Sequence, residues 1–197
     1  MPAPTADRRT DPDKRARLIE SAVRLFGSEG IDETTTNRIA REAGVAAGTL
    51  FNYFESKDDL IDAAYLSCKK DLAAHLRQAV SGQGTLRDQL EKAWCVALEW
   101  SLKNGEKHDF MAHFSHSPRA SRESLKRELH SEFQFLHDSL QSAAGQINEV
   151  PADFFEVVVQ ASLQAGVQYL RNQPRRKQAA AMAASFDFFW RGLAGKD

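Results

Sequence analysis

Cysteine is nearly absent from this chain of 197 residues: Cys68 and Cys95 are the only two, both inside apolar-periodic stretches. That excludes a disulfide framework and a thiolate metal cluster, and makes a reducing cytoplasm the expected location. Long apolar runs are missing as well. No uncharged run approaches the ~20 residues a spanning helix needs. The opening MPAPTADRRTDPDKR has proline and charge but no apolar segment, so neither export nor membrane insertion is expected. An excess of one charge is lacking too: the formal net charge is -1, and any nucleic-acid surface must be local. Even residues 1–57 carry nine basic against nine acidic side chains, so binding there must come from where the charges stand. Strand-type alternation of Val, Ile and Thr is also absent.

What is present is helical periodicity. With 42% hydrophobic and 27% charged residues the composition is that of a globular protein, long enough for a buried core and one or two domains. Leu18, Ala22, Leu25 and Phe26 mark a first amphipathic helix stopping at Gly30. NRIAREAG offers Ile39, Ala40 and Ala43 as the apolar face of a second, with Thr35 as its cap and Gly44 at its end. A third short helix follows in AGVAAGTLFNYFESK. Ser56 reads as the N-cap of a fourth, with Asp59 at N3, running to Ser81-Gly82. A fifth closes at Gly105, a sixth spans HDFMAHFSHS up to Pro118, and a seventh carries Leu125, Leu129, Phe133, Leu136 and Leu140. After breaks at Gly145 and Pro151 come two helices that are apolar around most of their circumference and need burial on two sides. The expected fold is all-α, with a domain boundary inside the fourth helix dividing residues 12–60 from 61–197.

Two short helices joined through EAGVAAG have the length and glycine punctuation of a helix-turn-helix, whose second helix enters the major groove. Gly44 suits a left-handed turn, Val45 plugs the space between the helices, and Gly48 permits close approach of another backbone. Leu50 and Phe54, four apart, face inward. Thr49, Asn52 and Tyr53 then point outward, where a recognition helix meets phosphates and base edges. Phe51 sits at the outer boundary without a polar tip. Lys57 and Thr36, at the first turns of the fourth and second helices, add phosphate-directed groups.

The run TTTNRIAREAGVAAGTLFNYFESKDDL, preceded by LFGSEGI, closely resembles the N-terminal DNA-binding domain of the TetR family of bacterial transcriptional regulators. Thr35, Ile39, Ala40, Ala43, Gly44, Val45, Gly48, Thr49, Leu50, Tyr53, Phe54 and Lys57 fall in register. The resemblance covers about Arg15 to Leu60 and implies a three-helix DNA-binding domain followed by a helical ligand-binding and dimerisation domain. On that basis the DNA surface comprises Thr35, Thr36, Ala46, Ala47, Gly48, Thr49, Phe51, Asn52, Tyr53 and Lys57. The family usually has Ser in place of Ala46 and Tyr in place of Phe51, so this chain lacks one helix cap and one phosphate-directed hydroxyl.

Elsewhere two readings stand side by side. Arg8, Arg9, Lys14, Arg15 and Arg17 form either a solvated tail or an arm on the phosphate backbone. Arg171, Arg175, Arg176 and Lys177 read as the polar turn between the last two helices. His108, His113 and His116 suggest a metal, but no nearby acid or cysteine completes a ligand set, so neither metal nor cofactor is expected. No Gly-x-Ser-x-Gly elbow, phosphate-binding glycine loop or Cys-His pairing supports an enzyme. Trp94, Leu98, Phe110, Phe114 and Phe133 either fill the core or line an apolar cavity with Cys95, His113 and His137 as polar anchors. The resemblance favours the cavity, for a small hydrophobic or amphipathic effector. Phe154, Val158, Ala161, Ala165, Tyr169, Phe186, Phe189 and Trp190 form either a monomer's interior or a two-fold interface. The expectation is a homodimeric repressor that binds a palindromic double-stranded DNA operator and is released by a small molecule. A helical protein-interaction module that ignores DNA is the rival reading.

Overall fold

The computed structural model describes residues 11–80, 84–115, 117, 122–141, 147–148 and 150–194. Arg8, Arg9, Ser81, Gly82, His116, Pro118 and Gly145, invoked above, lie outside them. Among the described residues there are ten helices and no strand beyond one isolated bridge between Ile147 and Ala194. The fold is all-α, as expected.

Local chemistry accounts for the first boundaries. Helix α1 (Pro12–Glu29) starts with proline at a position that needs no N–H, capped by the Asp11 side chain, which accepts from the Asp13 N–H. It ends at Gly30, whose φ of 98° few other residues adopt. Helix α2 (Thr36–Glu42) is capped by Thr35, which accepts from the Arg38 N–H. Helix α3 (Ala47–Leu50) is a single turn. Helix α4 (Lys57–Val80) opens with the expected cap: the Ser56 hydroxyl accepts from the Asp59 N–H at 3.1 Å and donates to its carboxylate at 2.8 Å.

Helix α5 (Leu86–Lys103) carries a reciprocal capping box between Thr85 and Asp88. Gly105 does not close it. Asn104 does, folding its side-chain amide onto the Trp100 carbonyl at 2.9 Å, and Gly105 instead begins α6 (Gly105–Ser115). The expected seventh helix is two: α7 (Glu123–Glu132) and α8 (Gln134–Gln141), broken at Phe133 with φ −103° and ψ 11°. Because the break takes one residue and the 3–4 leucine spacing carries on across it, periodicity alone does not reveal it. Helices α9 (Ala152–Arg171) and α10 (Arg175–Leu193) follow; the basic residues expected to form the turn between them flank it instead, Arg171 ending α9 and Arg175, Arg176 and Lys177 opening α10.

Two apolar clusters hold these helices together. The larger runs from α1 to α7 and crosses the expected domain division: Phe26 packs on Phe110 with ring centroids 5.3 Å apart, and Tyr65 stacks on Phe114 at 4.0 Å. Here α1 and α6 touch through backbone, since a Cβ on Gly27 would stand 2.2 Å from the Glu106 carbonyl oxygen. The smaller cluster joins α5 to α9 and α10 through Trp94, Leu98, Val167, Leu170, Met182 and Phe186.

Candidate nucleic-acid interface

The turn between α2 and α3 is built from backbone. Gly44 adopts φ 68°, the Val45 N–H donates to the Ala40 carbonyl at 2.9 Å, and the Gly44 N–H donates to Arg41 at 3.2 Å. This double closure is the Schellman arrangement, and it needs a left-handed residue where Gly44 stands. Val45 packs half-buried on the core, and Arg17 of α1 donates to the Ala43 carbonyl at 3.2 Å, fixing the turn from behind.

Beyond α3 the chain keeps turning: Asn52 bonds back to Thr49, and Tyr53 and Phe54 to Leu50. Leu50 and Phe54 are buried anchors. Ala46, Ala47, Gly48, Phe51 and Asn52 are exposed in consequence, and Thr49 is half-exposed. Among the described residues nothing lies within 4 Å of a Cβ built on Gly48, so none of them makes the close approach expected there. Ala46 makes no side-chain cap bond, as its lack of a hydroxyl dictates.

Two members of the expected outward ridge are already engaged by the protein. The half-buried Tyr53 hydroxyl accepts from the Asp11 N–H at 3.1 Å, and the Lys57 ammonium donates to the Ile31 carbonyl at 2.5 Å. Both reach backwards across the unit rather than standing free, because each side chain is long enough to satisfy a nearby backbone group. Thr35 is exposed but spends its hydroxyl on the cap, and Thr36 is half-exposed beside it. Arginine placement explains the zero net charge of the segment: Arg17 pairs with Asp13, Arg24 with Glu42 and Arg38 with Glu29, while Arg15 lies 5.2 Å over the Phe54 ring. Asn37 and Arg41, one turn apart on α2, are exposed polar residues that sequence reasoning passed over. Their i, i+4 spacing opposite the buried Ile39 and Ala40 was the available signal.

The residues expected to line the ligand cavity divide between the two apolar clusters. Trp94 and Leu98 belong to the smaller cluster, Phe110 and Phe114 are sealed in the larger one, and His113 is exposed. Three successive helices therefore turn these residues toward different partners, which linear spacing cannot reveal. Cys95 edges a shallow open hollow with Asp88, Glu91 and Lys92, its thiol pKa raised chiefly by burial. Burial likewise pushes the Cys68 thiol up to about 12, so it remains protonated. Phe133 is half-buried against the larger cluster, and His137, one turn on, is half-buried with its Nε2 3.6 Å from the Glu156 carboxylate. Among the described residues no group of three metal-binding side chains assembles. His108 is half-buried, and burial first and the Arg171 charge second hold its pKa below the usual imidazole value.

The apolar faces of α9 and α10 split in two. Phe154 and Tyr169 are each 57% exposed, Ala161 and Ala165 lie exposed between them, and Val158 is half-buried on the same face. Phe186 contradicts its expected place on an outer face: it is fully buried, with Trp94 against it, and Phe189 stacks on the same indole at 4.8 Å. Trp190 stays half-buried on Phe186. The outward apolar residues of this pair that sequence reasoning missed are Val157 at 65% and Phe188 at 85% exposure. Phe188 continues an exposed stripe with Ala180 and Ala184 at intervals of four, the pattern that separates it from its buried neighbours.

Comparison with known proteins agrees with this geometry. Residues 18–64 match the family model described as bacterial regulatory proteins, tetR family. The HTH-type transcriptional regulator BetI of Brucella anthropi is 29% identical over 138 residues, 70% of this chain and 70% of that protein. A crystal structure from Shewanella sp. PV-4, assigned to the tetR family of transcription regulators, is 33% identical, with a TM-score of 0.84 over 93% of this chain and 99% of that one. A TetR family transcription regulator from Marinobacter aquaeolei VT8 shares the fold at 22% identity and TM-score 0.79, over 96% of this chain and 100% of its own. These relatives are regulators rather than enzymes, and no helix among the described residues is long and apolar enough to cross a membrane. With its glycine-closed turn, buried Leu50 and Phe54 and exposed recognition edge, the chain belongs to the TetR family of DNA-binding transcriptional regulators.

Proposed function

We propose that this protein is a cytoplasmic repressor that binds a palindromic operator as a homodimer and is released by a small amphipathic ligand. The observation that carries the DNA part is the edge formed by Ala46, Ala47, Gly48, Thr49 and Asn52: small and polar, exposed, and backed by fully buried Leu50. Such an edge admits a groove wall close to the backbone, with Asn52 and Thr49 reading bases and Thr35, Thr36, Phe51, Tyr53 and Lys57 flanking it on the phosphates. Arg41 adds a phosphate contact. One short helix reads few base pairs, so two copies must act together on half-sites about 34 Å apart or a multiple of it.

The second copy docks on the exposed face of α9 and α10, where Phe154, Val157, Tyr169 and Phe188 leave apolar area in water. Residues 12–60 form the DNA-binding unit and 61–197 the unit for dimerisation and sensing. Because ring contacts such as Phe26 on Phe110 cross that division, a shift of α6 or α4 reaches the recognition edge. Arg122 strengthens the link, bridging Asp58 at 2.9 Å and Asp62 at 2.6 Å on the first turns of α4. To change operator occupancy about 100-fold, a ligand must favour one state by about 2.7 kcal/mol. Its site lies beside Phe133 and His137.

Selection of bound fragments from the host genome, followed by gel shifts across a salt series, tests this reading. The expected result is a palindromic site bound by two chains, with Asn52→Ala altering base preference and Arg41→Ala weakening all sites and reducing the salt slope by about 1. Fragments without shared sequence, or a solution mass of one chain at micromolar concentration, would sink it.

A further inference from the structure

Helix α4 carries several cations, and among the described residues nearly all of them meet an oxygen. Lys57 reaches the Ile31 carbonyl, Lys70 lies 3.7 Å and Arg77 3.8 Å from the two oxygens of Glu132, and His75 lies 3.7 Å from Asp71. Lys69 is different. Its side chain is half-buried and its ammonium stands between two rings, 5.6 Å from the Tyr65 centroid and 5.5 Å from Phe133, with no carboxylate or carbonyl partner among the described residues.

An ammonium attracts the faces of aromatic rings, but two rings do not neutralise it. On the helix that follows Phe133, His137 lies 3.6 Å from the Glu156 carboxylate, so that acid is engaged elsewhere. The surroundings are apolar: Leu66 one turn back on α4, Phe133 itself, and Leu136 one turn further on are all half-buried against the larger core. A cation held among apolar side chains and rings, with no carboxylate beside it among the described residues, suits a ligand of opposite charge and matching body. A cationic ligand would meet a cage already filled by the ammonium, and a neutral one would leave the charge uncompensated.

We propose that Lys69 binds the headgroup of the effector, and that the effector is a small monocarboxylate whose apolar body lies along Phe133 and Leu136. This rests on the ligand-responsive reading above and names the chemistry of its site. A charge-assisted hydrogen bond from the ammonium to the carboxylate supplies selectivity, and the rings keep the ammonium in place before the ligand arrives.

Calorimetric titration of the full-length protein with straight-chain carboxylates from butanoate to dodecanoate, and with the alcohols and trimethylammonium salts of the same chain lengths, tests the assignment. At the best chain length the carboxylate should bind at least about tenfold tighter than either counterpart. Lys69→Met should lose about tenfold for the carboxylate and leave the alcohol within about twofold, while Lys69→Arg keeps the carboxylate within about threefold. Equal affinity for carboxylate and alcohol, preference for the ammonium salt, no binding of any carboxylate, or indifference to Lys69→Met in a folded variant overturns it. The headgroup comparison in the unaltered protein stands even if the Met variant fails to fold. Gel shifts with the same carboxylate separate the two readings: tight binding that leaves DNA affinity unchanged removes the effector role and keeps the carboxylate site.

Discussion

The recognition edge and the α9–α10 face present opposite kinds of surface. Around α2 and α3 the anchors Leu50 and Phe54 are buried and the outside is mostly Ala46, Ala47, Gly48 and Asn52, with Phe51, 52% exposed, at its boundary. On α9 and α10 the outside itself is large and apolar, up to Phe188 at 85% exposure. A surface that meets a hydrated, charged groove gains from small size and polar tips, since a base edge or phosphate exchanges hydrogen bonds. A surface that meets another protein gains from apolar area removed from water. The two faces thus differ in what they leave uncovered, and each can be broken without the other.

The sharpest break separates two phenylalanines two residues apart. Phe186→Ala should cost about 3–5 kcal/mol of chain stability by emptying the space beside Trp94. Phe188→Ala should change the stability of the isolated chain by only about 0.5 kcal/mol. If Phe188 is an interface hot spot, the same change weakens association by about 2 kcal/mol. Denaturant titration read beside sedimentation equilibrium checks both; equal stability losses would erase the distinction between inner and outer faces.

On the recognition side, Gly44→Ala should cost about 1–2 kcal/mol, because an alanine is strained at φ 68°. Among the described residues nothing lies within 4 Å of the added Cβ, so strain rather than collision is the cause. Operator affinity should fall more than association does, which gel shifts and sedimentation on one preparation compare directly.

Acid should loosen the helices around Asp71, on α4. Burial raises the pKa of this carboxyl, but the hydrogen bond and charge of Lys107 and the Trp100 indole outweigh that and hold it below its ordinary 3.8. A carboxylate whose folded value is depressed contributes stability above its unfolded pKa and loses it as the pH falls through the folded one. Asp71→Asn should therefore flatten the acid limb of the stability curve below about pH 4. Solvent reaches this pair, so the effect is modest. An unchanged acid limb would mean the network carries no net linkage.

Much of this was legible in the sequence, and the failures have physical causes. Gly44, Thr35, Ser56, Leu50 and Phe54 act locally, through turns, caps and a four-residue face, so their chemistry is written in adjacent residues. The break at Phe133 hid inside an uninterrupted leucine rhythm, and Trp94, Phe110 and Phe114, expected around one cavity, divide between two clusters because they turn to different helices. Periodicity says which residues are apolar together, not which partner they meet. Phe186 and Phe188 make the same point: composition marked α10 as apolar on all sides, and only tertiary packing decides which side is covered. Likewise Tyr53 and Lys57 were readable as polar tips near the edge, but their engagement with Asp11 and Ile31 depends on where α1 and the following turn pass.

The smallest expected effect concerns Ala46. It occupies the N-cap of α3 with φ −64° and ψ 143°, the extended geometry in which a serine hydroxyl accepts from one of the next free N–H groups. Ala46→Ser should thus add about 0.5–1 kcal/mol of stability. Because α3 is a single turn, that gain acts on the element presenting Gly48, Thr49 and Asn52, so operator affinity should rise with it while association through α9 and α10 stays constant. A stabilised variant with unchanged DNA affinity would show that α3 is already ordered before binding, and that Ala46 serves the edge through its small size rather than as a missing cap.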